Sequence, residues 1–267
     1  MQIIHEAILG AGAELIGYLH DVTEEIPNRA VRPALIVCPG GGYEFRSARE
    51  TDPPALYFFQ KGYQVFILHY SVGETAANMQ PLKEASAALS LVRSRAAKWH
   101  IMPNAIAIMG FSAGGHLAAS LGVMWQLPQL GAADGCNRPD AMVLCYPVIT
   151  AGKFAHQGSI QRVSGSAEWG PQQEFWALDK RVSEKTPPAF LWHTYEDDAV
   201  PVENSLLMVS ALRRAGVPCE FHLFETGPHG LSMCTAESEK NHPECACWPR
   251  LCLTWLNRHF QFKEYCE

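Results

Sequence analysis

The segment from Gly110 to Gly114 has the residue types and the spacing that nucleophilic catalysis requires. It reads Gly-Phe-Ser-Ala-Gly, the G-x-S-x-G pattern of a nucleophile elbow, with Ser112 at its centre. A strand-like apolar run, 105–109, leads into it and a helix-like stretch, 116–125, follows. This context predicts a tight, strained turn that exposes the serine oxygen and requires small neighbours. A glycine-rich turn with a serine at a helix start is the alternative interpretation.

A serine hydroxyl needs a base to take its proton and a third group to orient that base. In folds whose nucleophile lies on such an elbow, these residues follow in the chain order Ser, Asp or Glu, His, each on a loop after a strand. His229 follows the last predicted strand, and Gly227 and Gly230 beside it allow the loop to approach another backbone closely. His229 is therefore the favoured base. His116, in the elbow helix, and His193, at a strand end, are interpreted as structural.

An acidic cluster, Glu196-Asp197-Asp198, supplies the candidate for the third group. The predicted strand before it ends at Thr194, so the cluster falls beyond a carboxyl end, where parallel sheets place their ligand and catalytic sites. We favour Asp197 as the orienting acid and keep Asp198 as the alternative. Glu196 is expected to be a solvated loop charge.

The run Cys38-Pro39-Gly40-Gly41-Gly42-Tyr43 follows the first central strand and suits an oxyanion hole. Glycine lets backbone N–H groups come close to a substrate, and developing negative charge on the substrate needs such donors. We expect Gly41 and Gly42 to donate, with the amide of Ala113 as a third donor. A phosphate-binding loop is disfavoured because neither G-K-[ST] nor G-x-G-x-x-G is present.

Hydrophobic patterning predicts alternating strands and helices along the chain. Two N-terminal strands are expected to form a hairpin around Gly10-Ala11-Gly12. The later predicted strands are 34–38, 63–69, 105–109, 141–146, 189–194 and 218–224. The predicted helices are 54–61, 78–99, 116–125, 202–215 and 248–260. This alternation predicts an α/β fold with a mostly parallel central sheet, helices on both faces and an N-terminal antiparallel hairpin.

The connection 147–187 is far longer than ordinary loops in compact domains. We expect a single domain, 1–267, in which this segment forms a cap or substrate loop over the serine. A packed surface excursion is the alternative.

Composition limits the classes of partner. A formal charge of −6 with scattered basic residues disfavours nucleic acid, and no apolar run reaches the roughly 18 residues of a membrane span. The N-terminus lacks the features of a signal peptide, which predicts a cytoplasmic protein. The nine cysteines are expected to be reduced. A zinc site is disfavoured because the spacing of its candidate ligands fits no common pattern; these are His242, Cys245, Cys247 and Cys252.

Taken together, the motifs resemble those of the α/β-hydrolase carboxylesterases near the hormone-sensitive-lipase-like branch. More narrowly, the chain resembles bacterial acetyl-xylan and feruloyl esterase-like proteins. The resemblance runs from about residue 33 to 232 and rests on the segments 39–43, 110–116, 146–150, 187–194, Asp197 with 200–201, and 227–230. It implies acetylated or feruloylated plant-polysaccharide fragments as substrates and no metal or organic cofactor. Pro39 stands where many of these esterases carry a histidine.

Four aromatic residues are candidates for binding a sugar or ferulate ring: Tyr43, Tyr146, Trp169 and Trp176. Core packing is the competing role for each of them. Two alternatives to an esterase remain open. A serine peptidase or aminoacyl hydrolase would use the same triad order, with Glu196 and Asp198 recognising a free amine. A catalytically silent fold would bind its ligand without turnover. The sequence leaves the acyl group, the alcohol and the oligomeric state open.

Overall fold

An eight-stranded sheet runs through the centre of the molecule. The computed structural model describes residues 1–9, 12–132, 134–236 and 240–263. The strands are β1 (Gln2–Ile8), β2 (Ala13–Leu19), β3 (Arg32–Cys38), β4 (Gln64–His69), β5 (Ile101–Phe111), β6 (Ala141–Cys145), β7 (Ala189–Thr194) and β8 (Cys219–Phe224). Their order in the sheet is β1-β2-β4-β3-β5-β6-β7-β8.

Strands β3 to β8 are parallel, and β1 and β2 form an antiparallel hairpin on one edge. The predicted α/β architecture is therefore confirmed. The hairpin pairs Gln2 with Leu19 through to Ile8 with Ala13. Of its predicted turn, Gly10 and Ala11 lie outside the described residues. Because the parallel strands share one direction, their carboxyl ends meet at one edge of the sheet, where functional groups on the following loops can converge.

Helices cover both faces of this sheet, which explains why β3 and β6 are buried along their whole length. The helices are α1 (Asp52–Gln60), α2 (Gln80–Ser94), α3 (Ala113–Met124), α4 (Gln157–Ser164), α5 (Pro171–Glu174), α6 (Glu203–Arg214) and α7 (Trp248–Phe260). One hydrophobic core lies between the sheet and α2, α3 and α6. The other lies between the sheet and α1 and α7.

At two helix ends the observed boundary lies three or more residues from the predicted one. The predicted helix 78–99 ends at Ser94, although Ala96 and Trp99 remain buried in the following turns. The apolar spacing thus continues beyond the helix because those turns pack on the same core. Helix α3 begins at Ala113, three residues before the predicted start, and contains Gly114 and Gly115. Glycine disfavours helix by about 1 kcal/mol, but close packing overrides that preference here.

The segment 147–187 contains α4, α5 and a short 3₁₀ helix, Leu178–Lys180. Ile160, Val163 and Trp176 anchor it in the core on the α3 face. It is also joined to the elbow helix, because the backbone carbonyl of Trp176 lies 3.2 Å from His116 Nε2. Among the helices that the structure describes, none is long and apolar enough to cross a bilayer.

Candidate active site

Ser112 lies in a strained turn between β5 and α3. Its backbone has φ 53° and ψ −118°, a conformation that residues with a side chain rarely adopt. The turn is possible because Gly110 and Gly114, two residues away on either side, have no side chains. A Cβ on Gly110 would collide with the carbonyl of Gly114, and one on Gly114 would collide with the carbonyl of Cys38. The predicted strand–turn–helix arrangement is present, with the serine 7% exposed at the carboxyl edge of the sheet.

Ser112, His229 and Asp197 come together from the ends of three strands. Ser112 follows β5, Asp197 follows β7 and His229 follows β8. The Oγ of Ser112 lies 2.8 Å from Nε2 of His229, and Nδ1 of His229 lies 2.6 Å from Oδ2 of Asp197. Because a carboxylate only accepts, Nδ1 carries the proton and the neutral Nε2 is free to accept the serine proton. This arrangement can activate a hydroxyl nucleophile.

Asp197 is held by four donors and is buried. Its Oδ2 accepts from His229 and from Nε2 of His193 at 3.1 Å, and its Oδ1 accepts from the amides of Ala199 and Val200 at 3.1 and 2.9 Å. Burial alone would raise the pKa of Asp197, but the hydrogen bonds from His193 and His229 outweigh it and leave that pKa below its usual value. Asp198, by contrast, is exposed.

His193 extends the hydrogen-bond chain into the core. Nε2 of this fully buried ring faces two acceptors, Asp197 and the carbonyl of Val200 at 3.0 Å, so it must be a donor. Nδ1 then accepts from the hydroxyl of Ser205 on α6, 2.8 Å away. The side chain of His193 therefore ties the acid to two other parts of the fold.

The loop that carries His229 is fixed at Gly227. The carboxylate of Glu196 accepts from the amide of Gly227 at 3.1 Å, and the hydroxyl of Thr194 donates to its carbonyl at 2.8 Å. Glu196 is exposed on its loop, as the sequence interpretation expected, but its carboxylate has the additional role of holding Gly227. Adjacent acids on one loop serve different ends: Asp197 holds the imidazole, and Glu196 holds the backbone that carries it.

The loop after β3 lies against the elbow, and side chains from other segments hold its backbone by hydrogen bonds. The carbonyl of Pro39 accepts from the hydroxyl of Tyr70 at 2.5 Å, and the amide of Gly40 donates to Glu50 at 2.8 Å. Gly41 and Gly42 have φ 117° and 66°, in the region that favours glycine. Within the described residues, no hydrogen bond occupies the amides of Gly41, Gly42 or Ala113. The three predicted oxyanion donors are thus free to receive a ligand.

Glu50 connects this loop to the environment of His229. Its other oxygen accepts from the hydroxyl of Tyr146 at 2.7 Å, and that hydroxyl accepts from the amide of Ser232 at 2.8 Å. The ring of Tyr146 packs edge-on against the imidazole of His229, with 5.1 Å between the ring centres. Burial raises the pKa of Glu50, partly opposed by its hydrogen bonds from Tyr146 and Gly40.

An open cleft of about 370 Å³ gives access to Ser112 and His229. Gly41, Gly42 and Glu50 line it from the loop after β3. The segment 147–187 contributes two further side chains, His156 and Arg162. The remaining lining residues lie on the loop after β3 and beyond β8; they are Glu44, Phe45, Ser47, Arg49, Gly230 and Lys240.

The comparisons with known proteins agree with this geometry. Residues 21–140 match the BD-FAE family. A solved acetyl ester-xyloside bifunctional hydrolase from Caldicellulosiruptor lactoaceticus is 37% identical, with a TM-score of 0.81 over 94% of this chain and 89% of that one. The chain belongs to the serine esterases of the α/β-hydrolase fold.

Two longer relatives of this α/β-hydrolase are known by sequence. Endo-1,4-beta-xylanase B of Butyrivibrio fibrisolvens is 36% identical over 241 residues, which cover 87% of this chain and 37% of that protein. Acetylxylan esterase of Xylanibacter ruminicola is 29% identical over 216 residues, 79% of this chain and 43% of that protein. The chain therefore spans less than half the length of these two relatives.

The four aromatic residues predicted to bind substrate are not among the lining residues of the α/β-hydrolase cleft. Tyr43 is fully buried, with its hydroxyl 2.9 Å from Nδ1 of His116, and Trp176 packs on the same imidazole. Tyr146 is buried behind His229, and Trp169 is exposed elsewhere on the segment 147–187. Tyr43, Tyr146 and Trp176 are used in core packing and hydrogen bonding, so the expectation that these three residues contact substrate was wrong for this cleft.

Several cleft residues of this α/β-hydrolase escaped sequence reasoning. Phe45 is the aromatic side chain that lines the cleft, and it is 58% exposed. Glu50, His156 and Arg162 carry no motif, because only the folding of distant loops brings them to the serine. The acids invoked for a peptidase, Glu196 and Asp198, do not line the cleft.

The cysteine-rich C-terminal part of the α/β-hydrolase packs below the site. Cys234, Cys245 and Cys252 are buried free thiols, and Sγ of Cys245 lies 3.4 Å from the carbonyl of Thr226. Over the described ranges, no three His, Cys, Asp or Glu side chains form a group that could hold a metal ion.

Proposed function

We propose that this chain hydrolyses carboxylic esters through an acyl-enzyme formed on Ser112. His229 takes the serine proton as the oxygen attacks the ester carbonyl, and returns it to the leaving alcohol. Asp197 keeps the imidazole in the required tautomer and stabilises its charged form. Water, activated by the same histidine, then releases the acid. The observation that carries this proposal is the unbroken hydrogen-bond chain from Ser112 through His229 to Asp197.

The tetrahedral intermediate needs donors for its oxyanion. The free amides of Gly41, Gly42 and Ala113 are suited to this task because the loop after β3 lies against the elbow. The hydrogen bonds that Tyr70 and Glu50 make to that loop hold it in place without using these amides. Since the loop is held in advance, little reorganisation is required when charge develops.

The natural substrates on this proposal are small acetylated or feruloylated oligosaccharides from plant polysaccharides. Support comes from relatives named as an acetyl ester-xyloside hydrolase, an acetylxylan esterase and a xylanase. The cleft is open, with polar side chains on its walls, which suits a hydrated sugar better than a lipid chain. We further propose that the segment 147–187, within a single hydrolase domain, serves as a substrate wall, since His156 and Arg162 line the cleft.

The decisive experiment compares the purified protein with Ser112→Ala on 4-nitrophenyl acetate. The substitution is expected to lower kcat by roughly 10⁴–10⁶-fold, because the nucleophile is removed. A circular dichroism melt of both proteins checks that the variant is folded. Turnover by Ser112→Ala near the wild-type rate would refute the mechanism.

The acyl specificity is tested separately on the active protein. Acetylated xylo-oligosaccharides and methyl ferulate are compared by kcat/KM, with release of acetate or ferulate followed by chromatography. A higher kcat/KM on either natural ester than on 4-nitrophenyl acetate supports a polysaccharide-derived substrate. Hydrolysis of the aryl ester alone would restrict the proposal to a general carboxylesterase.

A further inference from the structure

Two hydrogen-bond donors on the cleft wall have no partner among the residues that the structure describes. They are Nε2 of His156, which precedes α4, and Nη1 of Arg162 on the same helix. Both residues line the cleft that contains Ser112. Neither nitrogen makes a hydrogen bond to any of the residues that the structure describes. An arginine and a histidine with free donors beside a nucleophile are suited to holding part of a substrate.

The proton of His156 is assigned by its other nitrogen. Nδ1 faces the backbone N–H of Ser159 at 3.3 Å and its hydroxyl at 2.8 Å, and it accepts as the cap of α4. An accepting Nδ1 leaves the proton of the neutral ring on Nε2. Burial, with a smaller contribution from the positive charge of Arg162, lowers the pKa of His156 and favours this neutral form. His156 therefore presents an N–H donor to the cleft.

Arg162 is held at one end of its guanidinium. Nη2 donates to the carboxylate of Glu44 at 2.5 Å, and the arginine side chain is 34% exposed. This ion pair sets the orientation of the planar group and leaves Nη1 for another acceptor. A fixed guanidinium loses less rotamer freedom when it binds a ligand than a mobile side chain does.

Both donors lie beside the oxyanion loop. A Cβ built on Gly42 would lie 3.9 Å from Cε1 of His156 and 4.0 Å from Nη1 of Arg162. A substrate whose carbonyl oxygen contacts the amide of Gly42 would therefore bring its neighbouring groups within reach of both side chains.

The charges around the cleft favour a negative ligand. Arg49 and Lys240 also line it, and neither has an acidic partner in the part of the chain that the structure describes. The two carboxylates of the lining are already engaged: Glu44 pairs with Arg162, and Glu50 accepts from Gly40 and Tyr146. The cleft is thus locally cationic on a chain whose formal net charge is −6.

We propose that His156 and Arg162 form a subsite for a carboxylate carried by the ester substrate. The inference rests on the proposed esterase function and narrows its substrates to anionic esters. The N–H donors at Nε2 of His156 and Nη1 of Arg162 match the two oxygens of a carboxylate, and hydrogen bonds to an ionised group are the stronger ones. The carboxylate belongs either to the alcohol side, as in an acylated acidic sugar, or to the acyl side, as in a dicarboxylic half-ester.

Two pairs of synthetic esters separate these sources. On the alcohol side, 4-acetoxybenzoate is compared with neutral phenyl acetate. On the acyl side, mono-4-nitrophenyl succinate is compared with 4-nitrophenyl butyrate. For each pair, the ratio of kcat/KM values, anionic over neutral, is measured at low and at high ionic strength. The subsite predicts that one pair has a ratio above 1 that falls as salt is added.

The matched variants are Arg162→Gln and Arg95→Gln. Each removes one positive charge, but exposed Arg95 lies between α2 and the start of β5, at the opposite edge of the sheet. Arg162→Gln is expected to lower the anionic-to-neutral ratio by about tenfold to a hundredfold. Arg95→Gln is expected to leave it unchanged. Arg162→Lys, which keeps the charge but not the fork, is expected to restore part of the ratio.

The outcomes divide cleanly between the two proposals. Ratios at or below 1 in both wild-type pairs, or equal losses on both members of a pair in Arg162→Gln, would overturn the carboxylate subsite while leaving the esterase intact. Failure to hydrolyse any of the four esters would instead count against the proposed function. The wild-type ratios decide the matter even if a variant does not fold.

Discussion

The two walls of the cleft differ in how their polar groups are used. On the wall after β7 and β8, the groups bind one another: Asp197 accepts from four donors, and His193 uses both ring nitrogens. On the wall formed by the segment 147–187 and the loop after β3, several donors have no hydrogen-bond partner within the described ranges of the chain. They are the amides of Gly41 and Gly42, Nε2 of His156 and Nη1 of Arg162.

The difference separates positioning from recognition. A group that must hold one geometry throughout a reaction benefits from satisfied, buried hydrogen bonds, since they restrict its motion. A group that must meet a substrate has to leave donors unused until the ligand arrives. His116 joins the two parts of the second wall, because its ring bonds Tyr43 beside the oxyanion loop and the carbonyl of Trp176 in the segment 147–187.

The largest expected effect within the satisfied wall comes from Asp197→Asn. The amide can present its NH₂ group to His229 and favour the wrong imidazole tautomer, so kcat should fall about 10⁴-fold. Asp198→Asn is the matched control, because that carboxylate is exposed and outside the hydrogen-bond chain. Initial rates on 4-nitrophenyl acetate measure both. A larger loss in Asp198→Asn would transfer the orienting role to Asp198.

The buried, neutral ring of His116 predicts a second effect, a pH dependence of the free energy of unfolding. Burial lowers the pKa of His116 to about 4 in the folded state. In the unfolded chain the same imidazole is protonated at a higher pH, with a pKa near 6.5. The stability contributed by the neutral ring is complete above about pH 6.5 and is lost as the pH falls towards 4. The loss should approach about 3 kcal/mol in the free energy of unfolding.

Urea unfolding at pH 7 and pH 4.5, with His116→Gln as the comparison, measures that contribution. The variant is less stable at pH 7 but should lose less stability on acidification, because it has no imidazole to protonate. Equal pH dependence in both proteins would contradict the assignment of His116 as a neutral link between the loop after β3 and the segment 147–187.

The smallest expected effect comes from His193, which acts on the reaction through Asp197. His193→Phe keeps a buried ring but removes the donor to the carboxylate, and kcat should fall roughly tenfold to a hundredfold through misplacement of the acid and base. KM should change little, because no substrate contact is lost. His193→Gln, which restores a donor, should recover part of kcat. A change confined to KM or to thermal stability would show that His193 has no part in positioning Asp197.

The predictable parts of the site are those that a local backbone conformation demands. A serine in a nucleophile elbow requires glycines at fixed positions around it. The loops that carry the oxyanion donors and the histidine need glycine because their backbones approach other groups closely. Ser112, the 40–42 loop and His229 could therefore be recognised from the sequence. Strand position also placed the acidic cluster 196–198 at the carboxyl edge of the sheet, but it did not distinguish Asp197 from Asp198. Contacts between distant segments have no local sequence pattern. For this reason the sequence did not identify four residues of the cleft: Phe45, Glu50, His156 and Arg162.

The aromatic residues illustrate the limit from the other side. Tyr43 and Tyr146 stand directly beside predicted site motifs, yet their rings point into the protein to bond His116 and Glu50. Proximity to a motif along the chain does not determine the direction of a side chain. This holds particularly for residues that themselves have positive φ, as these two tyrosines do.

By itself, the sequence determined the alternation of strands and helices, the parallel sheet and the three residues expected at its carboxyl edge. These follow from hydrophobic periodicity and from local backbone requirements, which act over a few residues. Only the tertiary structure decided which donors are consumed by the protein and which remain free for a substrate. That division depends on hydrogen bonds between segments far apart in the sequence, such as Arg162 with Glu44, which are 118 residues apart, and no local pattern encodes it.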